Sequence, residues 1–290
     1  MTSGEVFPHT LLYGIGGTGK TAFARAVGNE LNYYFVETHA AAFKHRHQLF
    51  DALVHYSEEA QAMGRPLLFF LDEVHRLKLP LQEALYSVMK EWWIPTDQGK
   101  QHIPPFALVA ATTRFDMLDA NSFVTRFPNC WELDRYSLAD IEAIVAYEFD
   151  KGRLRYSREA VADIAKRCLG IPRIAVTLAE KVRMTVLSTG EQQVTIAHTA
   201  RTFELEQIDE IGLDPVHLRY LMILAGSKSE ERYVHLVIGA ISAKMRHHED
   251  VIKGSVEPIL LELNLIAPTP RGRMLTQAGA KYLKKSRKSP

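Results

Sequence analysis

From residue 10 to about residue 132 the chain alternates short apolar runs with longer stretches whose apolar positions recur every three or four residues. The short runs read as strands and the recurring positions as helix faces. Their alternation predicts a parallel sheet covered by helices on both sides. The strand runs are Thr10-Leu11-Leu12-Tyr13, Tyr33-Tyr34-Phe35-Val36-Glu37, Leu67-Leu68-Phe69-Phe70-Leu71 and Phe106-Ala107-Leu108-Val109-Ala110-Ala111. The last two contain no polar residue, as expected of central strands buried on both faces. Helical spacing is seen in Ala22 to Val27, in Leu49, Phe50, Leu53 and Val54, and over about 80–91 (Leu81, Leu85, Val88 and Met89). Gly64-Arg65-Pro66 breaks the chain before the third strand, and Thr96 to His102 is polar with a turn signal at its centre. Trp92 and Trp93 beside that turn are expected to pack in the core.

Beyond Tyr136 the pattern becomes helical throughout. Ile141, Ile144 and Val145 lie on one face, Val161, Ile164, Ala165 and Cys168 on another, and Ile174, Val176, Leu178, Ala179 and Val182 on a third. Breaks fall at Lys151-Gly152, Gly170-Ile171-Pro172 and Ser188-Thr189-Gly190. A third unit starts near 209, with helical patterns at 214–226, 234–244 and 249–263. It ends in a strand-turn-strand run from Leu265 to Thr276. Three helices and a hairpin make a winged helix, a variant of the helix-turn-helix. The expected organisation is a sheet domain over 1–132, a small helical domain over 133–208 and a winged helix over 209–290.

Composition adds bounds rather than identity. The 290 residues suffice for two or three domains, and 47% hydrophobic with 24% charged residues is ordinary for a soluble globular protein. The net charge of +1 is uninformative, but its distribution is not. From Leu265 onward there are seven basic residues (Arg271, Arg273, Lys281, Lys284, Lys285, Arg287 and Lys288) and no acidic one. A basic end on a neutral chain suggests contact with a polyanion; a solvated, frayed tail is the alternative. Cys130 and Cys168 have neither metal nor disulfide spacing, which fits a reducing cytoplasm. No signal peptide is visible at Met1 to Glu5, and no apolar run is long enough to span a bilayer.

The candidate chemistry sits at the strand ends. After Tyr13 runs Gly14-Ile15-Gly16-Gly17-Thr18-Gly19-Lys20-Thr21, which opens into a helix. Strand, glycine loop and helix form the context the phosphate loop G-x-x-x-x-G-K-[ST] requires. Gly14, Gly16, Gly17, Thr18 and Gly19 would direct backbone amides at phosphate oxygens, Lys20 would reach the outer phosphates, and the Thr21 hydroxyl would sit on Mg²⁺. The buried third strand ends in Asp72-Glu73, where ligands of such sheets bind. Asp72 is read as holding Mg²⁺ and Glu73 as polarising the attacking water; a helix cap at Asp72 is the bland alternative. Thr112-Thr113-Arg114 faces the same edge. Lys44-His45-Arg46-His47 is a basic cluster whose histidines, lacking acid or cysteine companions, are read as solvated.

These residues together resemble the RuvB family, the AAA+ motors of Holliday-junction branch migration. The resemblance covers nearly the whole chain. It rests on the Gly14–Thr21 loop, Leu71-Asp72-Glu73-Val74-His75-Arg76-Leu77, the run from Pro104 to Arg114, Arg126-Phe127, Gly170-Ile171-Pro172-Arg173-Ile174-Ala175, Leu213-Asp214-Pro215 and Thr269-Pro270-Arg271-Gly272-Arg273, in that order. It implies an α/β fold: a P-loop AAA+ parallel-sheet domain, a small helical lid and a C-terminal winged helix. It further implies Thr113 as first sensor, Arg173 as second sensor contributed by the lid, Tyr136 beside the adenine, and Arg126 as an arginine finger reaching a neighbour's ATP. Without the resemblance Arg126 reads as a surface arginine before a Phe-Pro turn. A finger in trans requires assembly, and the family's assembly is a hexameric ring. Arg271 and Arg273, with Lys281, Lys284 and Lys285 secondary, would hold DNA phosphates rather than base edges.

Three departures accompany the resemblance. Only about nine residues precede Thr10, so the family's leading adenine-binding segment is expected to be missing. The Trp92–Ile103 stretch is shorter than the hairpin by which the family holds its junction-binding partner RuvA. Val124 stands two before Arg126, where the family has arginine. The expected function is an Mg-ATP-dependent DNA motor acting on branched or double-stranded DNA as a homo-oligomeric ring. The alternative is an ATP-dependent DNA-binding switch or loader that hydrolyses slowly and recruits another protein.

Overall fold

The computed structural model describes residues 6–96, 99–119, 122–226, 228–229, 232–233 and 235–286. Met1 to Glu5, Asp97 and Gln98 of the polar turn, and Arg287 and Lys288 of the basic end lie outside them. The chain divides into two compact units, 1–134 and 135–290.

The first unit runs β1 (Thr10–Tyr13), α1 (Lys20–Glu30), β2 (Tyr34–His39), α2 (Arg46–Ala62), β3 (Leu67–Asp72), α3 (Leu79–Glu91), β4 (Trp93–Thr96), β5 (Gly99–His102), β6 (Phe106–Thr112) and β7 (Asn129–Glu132). Five strands pair in the order β2-β3-β6-β1-β7, all parallel. Side chains alternate between two cores, as the two-residue period of a strand demands. Leu67, Phe69 and Leu71 of β3, Phe106, Leu108 and Ala110 of β6, and Leu11 pack with Leu49, Leu53, Leu85 and Val88 of α2 and α3. Their neighbours Leu68, Phe70, Ala107, Val109 and Leu12 pack on the other face with Ala24 of α1. Burial on both faces is why the runs are apolar throughout.

β7 carries no apolar run: Asn129-Cys130-Trp131-Glu132 is an edge strand, largely exposed, aligned by its pairing with β1. His45 and Gln48 cap α2, so the basic cluster at 44–47 is a helix start, with the rings of His45 and His47 stacked 5.5 Å apart. Trp92 packs on the core edge-on to Phe106, as expected. Trp93 does not: it lies on the β4–β5 hairpin under the Lys100 ammonium, 3.9 Å from the ring centroid.

The second unit continues with α4 (Leu138–Lys151), β8 (Arg155–Tyr156), α5 (Arg158–Arg167), α6 (Pro172–Thr189), β9 (Gln193–Val194) and α7 (Ile196–Glu206). Ile141, Val145, Ile164, Leu178, Val182 and Phe203 lie in one buried core. Val176, expected on the inner face of α6, is exposed; Ala175 takes that place. After these come α8 (Pro215–Gly226), β10 (Lys228–Ser229), β11 (Arg232–Tyr233), α9 (Ile238–Met245), α10 (Glu249–Val251), a π-helical turn (Ile252–Val256), α11 (Glu257–Glu262), β12 (Ile266–Thr269), β13 (Gly272–Leu275) and α12 (Gln277–Ser286). Antiparallel β12 and β13 form the wing, extended by a bridge between Leu236 and Arg273.

The basic end is no frayed tail as far as Ser286. It is a helix with Leu283 buried and Gly279 so close to Leu265 that a Cβ would lie 2.1 Å from its carbonyl oxygen. Within this unit Asp209 links lid and winged helix. Its carbonyl accepts from Arg167 Nε at 3.0 Å, its carboxylate accepts the amides of Ile211 and Leu213 at 2.9 Å each, and the Tyr282 hydroxyl donates to it.

Candidate nucleotide site and nucleic-acid interface

β3, β6 and β1 lie side by side, so their carboxyl ends bring Asp72-Glu73, Thr112-Thr113 and the Gly14–Thr21 loop to one edge. The loop is closely shaped. Gly14 has φ 132, and a Cβ there would meet the Leu133 carbonyl oxygen at 2.4 Å. Thr18 is fully buried, its hydroxyl donating to Ile15 O at 3.0 Å. Gly19, at φ 97, precedes α1 and no side chain caps that helix, leaving its opening amides directed into the loop that also holds Gly16 and Gly17. A concavity of amides at a helix N-terminus attracts phosphate. Lys20 is only 7% exposed; its ammonium donates to Gly14 O at 2.9 Å and Ile15 O at 2.7 Å, crossing the loop. Thr21 occupies the first turn of α1, half-buried.

Asp72 ends β3, and its Oδ1 accepts the Glu73 amide at 2.9 Å; α3 begins later, at Leu79, so Asp72 does not cap it. Glu73 stands in the left-handed region at φ 53, a conformation costly for a side chain with a Cβ and concentrated at functional sites. Its carboxylate accepts the Thr113 hydroxyl at 3.1 Å and lies 3.0 Å from His75 Nδ1, which also lies 2.9 Å from Thr112 Oγ1. Burial pushes the Glu73 carboxyl up, but the hydrogen bond and charge of His75 and the bonds from Thr113 outweigh it and hold the acid below its usual range. Glu73 is therefore ionised at neutral pH and able to accept a proton. Sequence reasoning gave His75 no role, although it lies within the quoted motif; only the chain reversal after β3 brings its ring to Glu73.

Among the described residues no group of three or more His, Cys, Asp and Glu could hold a metal by itself. The oxygen donors Thr21 and Asp72 fit an ion such as Mg²⁺, which takes one or two protein oxygens and completes its shell with phosphate and water.

Arg126 is exposed on a one-turn helix, Val124–Arg126, between the buried Phe123 and Phe127, with its guanidinium 5.7 Å from the Tyr86 ring centroid. Tyr136 and Arg173 belong to the second unit. Tyr136 is 39% exposed, its amide donating to Gly170 O at 2.9 Å, and Arg173 is exposed on the first turn of α6.

The wing separates its two arginines. Arg271 is exposed at the turn between β12 and β13. Arg273 forms a two-pronged pair with Glu257, Nε to Oε1 at 2.9 Å and Nη2 to Oε2 at 3.0 Å. Glu257 is 4% exposed and also accepts the Tyr220 hydroxyl at 2.7 Å. The carboxylate raises the affinity of Arg273 for its proton, and burial followed by Glu257 raises that of Tyr220. Arg273, expected to hold DNA phosphates, thus gives its guanidinium to a buried acid while a quarter of its side chain stays exposed. Arg271 and, on α12, the exposed Lys281 and Lys284 remain solvent-facing; Lys285 pairs with Glu210 at 3.3 Å.

A parallel sheet with a phosphate loop and an acid pair at its carboxyl edge, followed by a helical lid and a winged helix, defines a P-loop ATPase of the AAA+ class with a nucleic-acid-binding module. Residues 1–133 match the family described as the Holliday junction DNA helicase RuvB P-loop domain, and 210–284 match the RuvB C-terminal winged helix domain. The chain belongs to the RuvB family. It is 31% identical over 283 residues to the Holliday junction branch migration complex subunit RuvB of Lactobacillus gasseri, covering 94% of this chain and 80% of that protein. The counterpart in Synechococcus is 32% identical over 287 residues, covering 96% and 80%. The Thermotoga maritima RuvB Holliday junction branch migration motor superposes with a TM-score of 0.83 at 30% identity, covering 97% of this chain and 88% of that one.

Proposed function

We infer that this chain is a RuvB-type DNA motor, an ATPase that converts hydrolysis into branch migration of Holliday-junction DNA. The observation that carries the reading is the meeting of the phosphate loop with Asp72, Glu73 and Thr113 on adjacent strands, in a chain that also carries a winged helix. Lys20 exchanges its two loop carbonyls for the outer phosphates, and the amides opening α1 hold the phosphate chain. Thr21 and Asp72 would hold Mg²⁺, which would supply positive charge to neutralise the phosphates. Glu73 accepts the proton of the attacking water, and Thr113 keeps its carboxylate at the site. Arg173 and Tyr136 serve the nucleotide from the lid. Arg126 completes the site of a neighbouring subunit in a ring, the family's ring being a hexamer; its exposure on an anchored turn suits that role. Arg271 and Lys281 hold phosphates of the DNA. The β4–β5 hairpin, with four residues in each strand, is shorter than the family's partner-binding hairpin, which argues against docking of a RuvA-like partner there.

The test is ATP hydrolysis with and without four-way-junction DNA, with Lys20→Ala as the blank. Stimulation by the junction is expected. Nucleotide binding without turnover would replace the motor by the ATP-dependent DNA-binding switch.

A further inference from the structure

Three segments of the second unit converge on Arg135. It directly precedes Tyr136, whose amide donates to Gly170 O at 2.9 Å. Its Nη1 donates to the Leu169 carbonyl, in the turn that leads through Gly170 and Ile171 into Pro172-Arg173 at the start of α6. Its Nη2 pairs with the Glu262 carboxylate at the end of α11 in the winged helix. The arginine side chain is largely buried, at 16% exposed, while Glu262 is half-exposed at 49%. The turn it grips has little freedom. Gly170 has φ 69, and a Cβ there would lie 2.9 Å from Tyr136 O and 3.0 Å from Arg135 Cβ.

We propose that Arg135 is the positioning residue that couples the nucleotide-sensing edge of the lid to the DNA-binding winged helix. A planar guanidinium suits the task because its donors are fixed relative to one another. If the Leu169–Gly170 turn shifts, the Nη1 donating to its carbonyl shifts, and the Nη2 held in the ion pair with Glu262 moves with it. The tie at Asp209 fixes the winged helix to α5 by a route that bypasses the turn. Arg135 thus gives the winged helix a second attachment, through α11, at the segment between Tyr136 and Arg173. The inference rests on the roles proposed above for Tyr136 and Arg173, and concerns transmission rather than chemistry: Arg135 touches neither substrate.

The experiment compares the full chain with Arg135→Gln, Glu262→Gln and the double variant. Each is measured for ATP hydrolysis alone, hydrolysis with junction DNA, and affinity for that DNA. Basal hydrolysis and DNA affinity are expected to stay within about twofold of the parent, while stimulation by DNA falls at least about fivefold, the lower end of typical coupling between sites. The double variant should be no worse than the single ones, since both remove the same link. Glu262→Gln changes a half-exposed side chain and guards against a folding defect in Arg135→Gln. Undiminished stimulation in Glu262→Gln, or additive losses in the double variant, would overturn the coupling role while leaving the motor intact. If the parent is itself unstimulated by DNA, both the motor and the coupling fall.

Discussion

At the residue scale the site shows how far a motif reaches. The spacing around Lys20 and the acids ending a buried strand are visible in the sequence because each role needs a particular residue type at a particular strand end. The partners of those residues are not visible, since hydrogen bonds such as Glu73 to Thr113 join positions forty apart. The wing shows the opposite hazard. Arg271 and Arg273 are alike in sequence, yet Arg271 is exposed and Arg273 is partly buried against Glu257. Arg273→Ala strips the counter-charge from the buried Glu257 and is expected to cost about 2–3 kcal/mol in chemical denaturation, discounted from a fully buried pair because Arg273 keeps a quarter of its surface exposed. Arg271→Ala should leave stability within about 0.5 kcal/mol and lower the slope of log DNA affinity against log salt by about one unit. Equal destabilisation by both would refute the distinction. The cysteines separate in the same way. Cys168 is buried, its thiol donating to Ile164 O at 3.1 Å and burial pushing its pKa up to about 12, whereas Cys130 is exposed on β7. A thiol reagent under native conditions should modify one cysteine, and peptide mapping should find it at Cys130.

At the element scale, strands buried on both faces were legible and the edge strand was not. β3 and β6 are apolar because both cores claim their side chains, whereas β7 owes its place to backbone pairing with β1, which any residue can supply. α12 was hidden because its basic residues cover a short apolar contact at Leu283. Caps are the other element-level device. Asp214 accepts the amides of Val216 and His217 at 2.9 and 3.0 Å and the His217 ring nitrogen at 2.6 Å, starting α8. Burial raises its pKa, but the bond and charge of His217 and the two amides prevail and the acid is held below its usual range. A depressed folded pKa stabilises at pH values above the unfolded pKa, and that contribution is lost as pH falls through the folded one. Asp214→Ala is expected to cost about 1 kcal/mol near neutrality, as a lost N-cap does, and to cost less under acid. Denaturation midpoints that differ equally at neutral and acid pH would contradict this assignment.

At the scale of the whole molecule, two units share the work: 1–134 carries the phosphate loop and acids, and 135–290 carries the lid residues and the wing. Ligand that binds only the folded chain raises its apparent stability, by about 2.7 kcal/mol at a hundredfold excess over Kd. Mg-ATP should therefore raise the melting temperature, and Lys20→Ala should abolish the rise. Arg126→Ala should keep the rise while losing hydrolysis by about a thousandfold or more, the usual worth of a finger in trans. Full turnover in that variant would remove the intersubunit role. By itself the sequence determined the sheet, the phosphate loop, the acid pair, the helical lid and the winged helix, because periodicity, breaks and local spacing encode elements and the residues at their ends. Only the tertiary structure decided that Arg273 pairs with the buried Glu257 while Arg271 is exposed, that His75 joins Glu73, and that Arg135 reaches Glu262. Those pairings span two to well over a hundred residues of chain, and they are settled by how elements pack and turn rather than by any pattern along it.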